Sequence, residues 1–225
     1  FLYTLMDQII HIIDFEGSAK TGVLEWGIVS IQGNTLLEAK TRLCGTESTI
    51  DAVERQQHGI TSELVVECPN FEQDFDLFAK LRKSGPLCAH NASVEDRFLK
   101  NTWSYTRQSP GFASPKKNQL LASWGPWLDT LPIYRRLYPD LDSYQLNTLI
   151  RLFGLEDKLT QLARLHCPKE RIRYHCALYD ALASALLLQR LFSLEELNDL
   201  SLYQLFTLSA SSASVFNQRR QQELF

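Results

Sequence analysis

The chain has 225 residues, of which 44% are hydrophobic and 11% aromatic. These proportions exclude a disordered protein and supply a core for one domain. No stretch approaches the roughly 20 consecutive apolar residues of a transmembrane helix. The net charge of −3 disfavours nucleic-acid binding by bulk electrostatic attraction, because that affinity comes mainly from lysines and arginines that neutralise phosphates. An acidic site filled by cations would nevertheless present a different field to its ligand.

The five cysteines are dispersed along the chain and show no Cys-x-x-Cys spacing. Their odd number and spacing argue against a disulfide framework or a zinc site and favour a reducing, cytoplasmic location. The apolar start, residues 1–6, lacks the basic residues and the cleavage site of a signal peptide. We therefore expect an upstream extension there, with Met6 as a candidate start of the protein.

The first half of the chain begins with strands and continues with helices. Three β-rich runs occupy residues 9–14, 23–31 and 36–43, and a Gly-Asn pair between the last two indicates a hairpin turn. We therefore expect an antiparallel meander. Apolar residues at helical spacing then predict helices at residues 49–57 and 71–83.

The second half alternates strands with helices. A brief strand is expected at residues 87–89 and a helix at 93–103, followed by an irregular segment, residues 104–126, with the features of a long functional or disordered loop. A last strand is expected at residues 127–131. Further helices are expected at residues 134–138, 143–153 and 176–192, with helical turns and a polar end after them. Together these elements predict an α/β fold with about five strands and helices on the faces of the sheet.

Asp14 and Glu16 form the first acidic cluster, at the end of the first strand. Side chains two residues apart on a strand point to the same face, so both carboxylates can reach one ion. An Asp-x-Glu pair alone is more often a solvated strand end. Phe15 between them points the other way, and we weigh core packing and base stacking equally for its ring.

The second cluster, residues 90–96, follows a strand and enters a helix. This position is the carboxyl end of the sheet, where α/β proteins usually build their sites. His90 and Asn91 taken alone are more often a capping and turn pair. Glu95 and Asp96 are the candidate acids of this cluster.

His175 and Asp180 form the third cluster. Asp180 lies in an alanine-rich helix that can pack closely on the sheet, where an unpaired carboxylate would be costly. His175, five residues earlier, is about 140° away around an ideal helix. Both side chains can therefore reach one site only if His175 lies in the preceding loop or at the cap. Taken alone, this histidine is more often a surface residue at a helix start.

In their shared order, these clusters resemble the motifs of the DEDD superfamily of 3′ to 5′ exonucleases, in its His-containing branch. That branch includes the proofreading subunit of bacterial DNA polymerase III and ribonuclease T. The resemblance covers about residues 9–192. It extends to further motifs: Glu25-Trp26-Gly27-Ile28-Val29, His58-Gly59-Ile60-Thr61, Trp127-Leu128-Asp129-Thr130-Leu131, Tyr138-Pro139, residues 143–155, and Tyr179-Asp180-Ala181-Leu182-Ala183.

The resemblance implies a ribonuclease H-like mixed sheet of about five strands flanked by helices. It implies an exonuclease domain over residues 1–192, followed by a C-terminal helical extension over residues 193–225. It also implies two divalent cations, Mg²⁺ or Mn²⁺, and hydrolysis of phosphodiester bonds from the 3′ end of a single strand, with release of nucleoside monophosphates. DNA is favoured as the substrate, and RNA stays open.

Carried over by residue, the resemblance makes Asp14, Glu16 and Asp180 metal ligands and His175 the general base. The family's fourth acid lies five residues after a histidine and three before an aromatic-aliphatic pair, here Phe98-Leu99, which selects Glu95. Asp96 is rotated about 100° from it on a helix, so both cannot face one ion. The family usually has aspartate here. The residues expected to bind substrate are Phe15, Gly17, Ser18, His58, His90 and Asn91.

Two other functions stay open at this point. The chain could be a weakly active or inactive nucleic-acid-binding module, because Glu95 departs from the usual aspartate. It could also be a subunit of a polymerase or repair complex, with the C-terminal tail as a docking helix for a protein partner or a second copy. No membrane partner is expected. Lys116-Lys117 in the long loop is a candidate phosphate contact, although such pairs are usually just solvated.

Overall fold

The computed structural model describes residues 7–114, 119–197, 200–210 and 212–222. The expected N-terminal extension and the Lys116-Lys117 pair lie outside these ranges. No helix in the described part of the chain is both long enough and apolar enough to cross a membrane.

Five strands form one mixed sheet in the order β3-β2-β1-β4-β7. β1 pairs antiparallel with β2, which pairs antiparallel with β3, whereas β1, β4 and β7 run parallel. Short strands β5 and β6 form a separate ribbon. The strands are β1 (Ile9–Ser18), β2 (Gly22–Gln32), β3 (Thr35–Leu43), β4 (Leu87–Ala89), β5 (Ser109–Pro110), β6 (Leu120–Leu121) and β7 (Trp127–Asp129). The predicted meander and five-stranded α/β sheet are confirmed.

Ten α-helices fall within the described ranges, and the long ones cover the sheet. They are α1 (Ala52–His58), α2 (Ser62–Val65), α3 (Phe75–Ser84), α4 (Ser93–Thr102), α5 (Thr130–Leu137), α6 (Leu146–Leu152), α7 (Glu156–His166), α8 (Ala177–Phe192), α9 (Leu202–Leu208) and α10 (Ala213–Gln222). Short 3₁₀ turns occupy Phe71–Asp74, Lys169–Arg171 and Glu195–Leu197.

Helix α8 lies on β1 and β2 and forms the centre of the larger core. Fourteen of its sixteen residues are buried, which explains its alanine-rich sequence. At its start the backbone of Ala177 approaches Gly27 of β2 so closely that a side chain at Gly27 would overlap it. This contact holds the first turn of α8 against the end of the sheet that carries the site.

Aromatic side chains fill a second core cluster. The Phe15 ring packs against Phe71 and Phe78, with centroids 5.3 and 5.5 Å apart. Trp103 and Trp124 extend this cluster towards the long loop. Core packing, the more frequent role of such rings, therefore accounts for these tryptophans.

The predicted segments differ from the structure at the start of α5, at α7, in the loop at residues 104–126, and at the short helix α2, which was not predicted. Residues 130 and 131 are helical rather than strand, because the Asp129 side chain accepts a hydrogen bond from the Leu131 N–H and begins α5 there. Helix α7 was not predicted. The loop at residues 104–126 carries the β5–β6 ribbon, fastened by the buried Arg82, which donates hydrogen bonds to the carbonyls of Pro110, Ser123 and Gly125.

The C-terminal extension begins as part of the main core. Leu202, Leu205 and Phe206 of α9 are buried there. Arg136 of α5 donates a 2.6 Å hydrogen bond to the Leu208 carbonyl. Helix α10 is mostly exposed. The apolar face of α9 is therefore occupied within the chain itself.

Candidate active site

Side chains from three elements converge at one end of the sheet. Asp14 and Glu16 come from β1, Glu95 from the first turn of α4, and Asp180 from the first turn of α8. We call these four residues the acidic cluster. Ligand atoms of Glu16, Asp180 and the neighbouring His175 all lie within 4.8 Å of one another. Asp14 and Glu95 lie outside that group of three but interact electrostatically with it.

Burial and mutual repulsion disfavour ionisation throughout the acidic cluster. Burial, followed by the charges of Asp180 and Glu95, raises the pKa of Asp14 well above its usual range. Burial and the charge of Asp180 raise the pKa of Glu16 to about 8. The pKa of Asp180 rises to about 7, chiefly through burial, and burial also raises the pKa of Glu95. Such crowding of carboxyl groups is typical of a functional site.

Two oxygens of the acidic cluster are buried without any hydrogen-bond partner among the described residues: Glu95 Oε2 and Asp180 Oδ1. Buried polar atoms are nearly always hydrogen-bonded, so each exception calls for an explanation. Hard divalent cations take carboxylate oxygens as ligands and would favour the ionised form of each acid. The donor set therefore fits divalent cations.

Adjacent residues Glu95 and Asp96 point to different environments. Glu95 is 4% exposed and faces the acidic cluster. Asp96 pairs instead with Lys100 at 2.5 Å and accepts a 3.0 Å hydrogen bond from the Trp127 ring nitrogen. The helical rotation between them thus directs Glu95 to the cluster and Asp96 away from it.

His175 lies in the turn before α8, one of the two positions compatible with a shared site. It is exposed and has a positive φ of 61°, uncommon for a residue with a side chain. Its backbone N–H donates a 3.0 Å hydrogen bond to Asp180 Oδ2. This bond ties the turn to the acidic cluster and leaves the imidazole accessible to solvent.

A buried ion pair lies directly behind the acidic cluster. Glu25 of β2 stands opposite Glu16 in the β1–β2 register and is 2% exposed. Its carboxylate pairs with Arg171 and accepts a 2.9 Å hydrogen bond from the Ala177 N–H. Arg171 also donates to the His58 carbonyl. We call Glu25 and Arg171 the anchor pair, because together they join β2, the end of α1 and the start of α8.

The anchor pair was not predicted as part of the site. Glu25 stood within a family motif, but its partner is 146 residues away in the sequence. The one available signal was the spacing of Glu25 from Glu16 across a short hairpin, which places two acids side by side.

Three of the expected substrate-binding residues lie along β1. The Phe15 ring is 6% exposed, inside the aromatic cluster. Gly17 follows the register shift between β1 and β2. The Ser18 hydroxyl accepts hydrogen bonds from the N–H groups of Lys20 and Thr21 in the hairpin turn.

The other three lie on the loops around the site. His58 is buried, and its Nδ1 accepts a hydrogen bond from the Ile60 N–H, while its Nε2 has no partner within the described structure. His90 uses both ring nitrogens, towards Thr130 and the Tyr144 carbonyl, and burial lowers its pKa to about 4. Asn91 is exposed, with φ 74°.

The sequence is similar to DNA polymerase III proteins of bacteria. It is 26% identical over 169 residues to the PolC-type DNA polymerase III of Bacillus cereus, which covers 75% of this chain and 10% of the relative. It is 25% identical over 156 residues to the DNA polymerase III subunit epsilon of Aquifex aeolicus, covering 68% and 71%. The chain thus spans about a tenth of the length of the PolC-type relatives. No family model matches it.

Solved structures share the fold. Exonuclease X in complex with 5′ overhanging duplex DNA superposes with a TM-score of 0.61 and 22% identity, covering 88% of this chain and 99% of that one. The nuclease domain of 3′hExo, a DEDDh family member bound to rAMP, gives a TM-score of 0.55 and 16% identity, covering 83% and 92%. The chain is therefore similar in sequence to bacterial DNA polymerase III proteins and shares the fold of solved exonucleases, one of them a DEDDh family member, which agrees with the resemblance of its motifs.

Proposed function

We propose that this protein is a metal-dependent 3′ to 5′ exonuclease that hydrolyses phosphodiester bonds from the 3′ end of single-stranded nucleic acid and releases nucleoside monophosphates. The observation that carries the proposal is the convergence of Glu16, Asp180 and His175 within 4.8 Å, beside the buried Glu95 and the half-buried Asp14. A purely structural role, in an apolar core or in a complete hydrogen-bond network, would not explain why these residues lie together.

Four acids hold the divalent cations in this proposal: Asp14, Glu16, Glu95 and Asp180. Mg²⁺ typically takes one or two protein carboxylates together with waters and substrate phosphate, so four acids suffice for two ions. The ions are Mg²⁺ or Mn²⁺. When bound, they supply Lewis-acid stabilisation of the phosphate and a more acidic attacking water.

His175 acts as the general base. Its imidazole is exposed at the edge of the acidic cluster, and one of its ring nitrogens would accept the proton of the attacking water. The hydrogen bond from the His175 N–H to Asp180 keeps the base at a fixed position relative to the acids. The anchor pair supports the same turn from behind.

The substrate is a single strand with a free 3′ end. DNA is the favoured substrate, and RNA is the second candidate. The names of the relatives, two DNA polymerase III proteins, support DNA, whereas 3′hExo was solved with a ribonucleotide. Gly17, Ser18 and Asn91, which are at least partly exposed, are the proposed contacts. The buried Phe15 and His58 and the half-buried His90 would support them.

The exonuclease unit would comprise residues 1–192, with residues 193–225 as a C-terminal helical extension. The polymerase names of the relatives support a polymerase as partner and a cytoplasmic location. A protein partner or a second copy would have to dock on α10, because α9 is occupied in the core.

The test is a time course on matched single-stranded DNA, single-stranded RNA and duplex, each labelled at its 5′ end, with Mg²⁺, Mn²⁺ or EDTA. We expect a ladder of shortening products with either cation and none with EDTA. Asp14→Ala is the matched inactive control. A wild-type protein without activity, or an equally active Asp14→Ala variant, would leave a nucleic-acid-binding module as the function.

A further inference from the structure

Arg173 is an exposed cation beside the acidic cluster that pairs with no carboxylate among the described residues. It precedes His175 by two residues. None of the ion pairs formed within the described part of the chain includes it. Its guanidinium donates one long hydrogen bond, 3.3 Å, to the Gln57 carbonyl in the last turn of α1. Most of its five N–H donors are therefore available to a ligand.

The Arg173 guanidinium lies against the backbone of Gly59. Gly59 ends α1 with φ 71°, and a side chain there would overlap the Arg173 guanidinium. The missing side chain thus opens the place that the guanidinium occupies. From there the charge of Arg173 acts on the active site, since it is one of the two arginines that lower the pKa of Glu16.

Arg171 makes a useful contrast, because it approaches the same glycine. Its charge is neutralised by Glu25 and its side chain is 12% exposed. Arg173 has no such counter-charge. Arg173 forms no ion pair within the described residues, so an anion that reaches this rim of the site would find an unpaired guanidinium.

We propose that Arg173 is a substrate-binding residue that holds a backbone phosphate of the bound strand. A guanidinium presents two parallel N–H groups that match two phosphate oxygens. The acidic cluster repels a phosphate until cations neutralise it, so a cation at its rim aids capture of the strand. This inference rests on the proposed exonuclease function and identifies one of its phosphate contacts.

The experiment compares Arg173→Ala, Arg173→Lys and the control Arg164→Ala, an exposed arginine of α7. Rates on a single strand are measured between about 50 and 200 mM salt. For Arg173→Ala we expect KM to rise about tenfold and kcat to stay within about twofold. The slope of log(kcat/KM) against log salt should shrink by about 0.7, one phosphate contact on a single strand. Arg173→Lys should restore the wild-type salt slope but reverse only part of the rise in KM. Arg164→Ala should match wild type in both.

An unchanged KM and salt slope in Arg173→Ala would overturn the inference. A lower kcat with unchanged KM would also overturn it, because Arg173 would then position His175 rather than bind the strand. Binding of a 5′-labelled strand with Ca²⁺, followed by fluorescence anisotropy, separates the two proposals. If wild type binds but does not cleave, the exonuclease proposal fails, and the anisotropy salt slope still decides the role of Arg173. If wild type does not bind, both proposals fail.

Discussion

Two groups of buried carboxylates lie side by side in this protein, the acidic cluster and the Glu25 carboxylate of the anchor pair. Both oxygens of Glu25 have partners, with Arg171 Nε at 3.1 Å and the Ala177 N–H at 2.9 Å. In the acidic cluster, Glu95 and Asp180 each keep one oxygen without a partner. Glu95 and Asp180 are nearly as buried as Glu25, but their hydrogen bonding differs.

The difference separates a structural acid from a ligand-binding one. A buried charge that is paired and fully hydrogen-bonded fixes geometry, whereas removal of one partner leaves a costly unpaired charge. The acidic cluster carries such a cost in the free protein, and cation binding would offset it. The anchor pair thus shapes the backbone, and the acidic cluster is the proposed ligand site.

The largest expected effect is the loss of activity on replacing a cluster acid. In Asp180→Asn, kcat should fall by about 10³-fold or more, since electrostatic stabilisation by a metal site is worth several kcal/mol. The free energy of unfolding in EDTA should not fall, because one repelling charge is removed. Steady-state kinetics and urea unfolding of the same preparation measure both. Activity within about tenfold of wild type would contradict the assignment of Asp180.

Replacing a residue of the anchor pair should lower the stability of the fold, which replacing Asp180 should not. Glu25→Ala leaves the buried Arg171 charge unpaired, and we expect the free energy of unfolding to fall by about 3–5 kcal/mol. The double variant with Arg171→Met should lose less than the sum of the single variants, because no unpaired charge remains. Urea unfolding of the wild type, the two single variants and the double variant completes the double-mutant cycle. Strictly additive losses would show that the two side chains do not interact.

The pH dependence of stability should reflect the raised pKa values of the acidic cluster. The pKa of Glu16 rises from 4.5 to about 8 and that of Asp180 from 3.8 to about 7 on folding. The folded state therefore binds these protons more tightly than the unfolded state. In EDTA, the stability they contribute is fully present below about pH 4 and is lost as the pH rises through about 7 to 8.

Urea unfolding at several pH values measures this loss, which should be at least about 1 kcal/mol. Mg²⁺ or Mn²⁺ should flatten the curve, because bound cations favour the ionised carboxylates. Glu16→Gln in EDTA is the matched control and should show a smaller loss at high pH. A metal-free stability that rises between pH 5 and pH 8 would contradict the assignment.

The smallest effect is expected at Asp96, next to the cluster acid Glu95. Asp96→Asn weakens a partly exposed pair with Lys100, which is worth about 0.3–0.5 kcal/mol. Its activity should stay within about twofold of wild type, whereas Glu95→Gln should lose activity as Asp180→Asn does. An inactive Asp96→Asn with an active Glu95→Gln would reverse the assignment of the two residues.

Much of this architecture follows from short-range patterns. The alternation of β1 places Asp14 and Glu16 on one face, whereas the choice of Glu95 over Asp96 came from the family resemblance, through the Phe98-Leu99 pair. The order of strands and helices predicts the α/β sheet. The start of α5 was harder to predict, because the cap at Asp129 competes with a β-rich sequence. Helix α7 was missed because it lacks a strong boundary motif.

The local order of residues settles which side chains share a face, since periods of two and about 3.6 residues follow from backbone geometry. It also lists the acids and the histidine that chemistry at a phosphodiester requires. Partners far away in the chain decide which carboxylate is neutralised and which keeps an oxygen without a hydrogen-bond partner. Arg171 meets Glu25 across 146 residues, and only packing of α8 on the sheet brings them together. Hydrogen-bond satisfaction is a property of the folded neighbourhood, so the division between anchor pair and acidic cluster emerges only there.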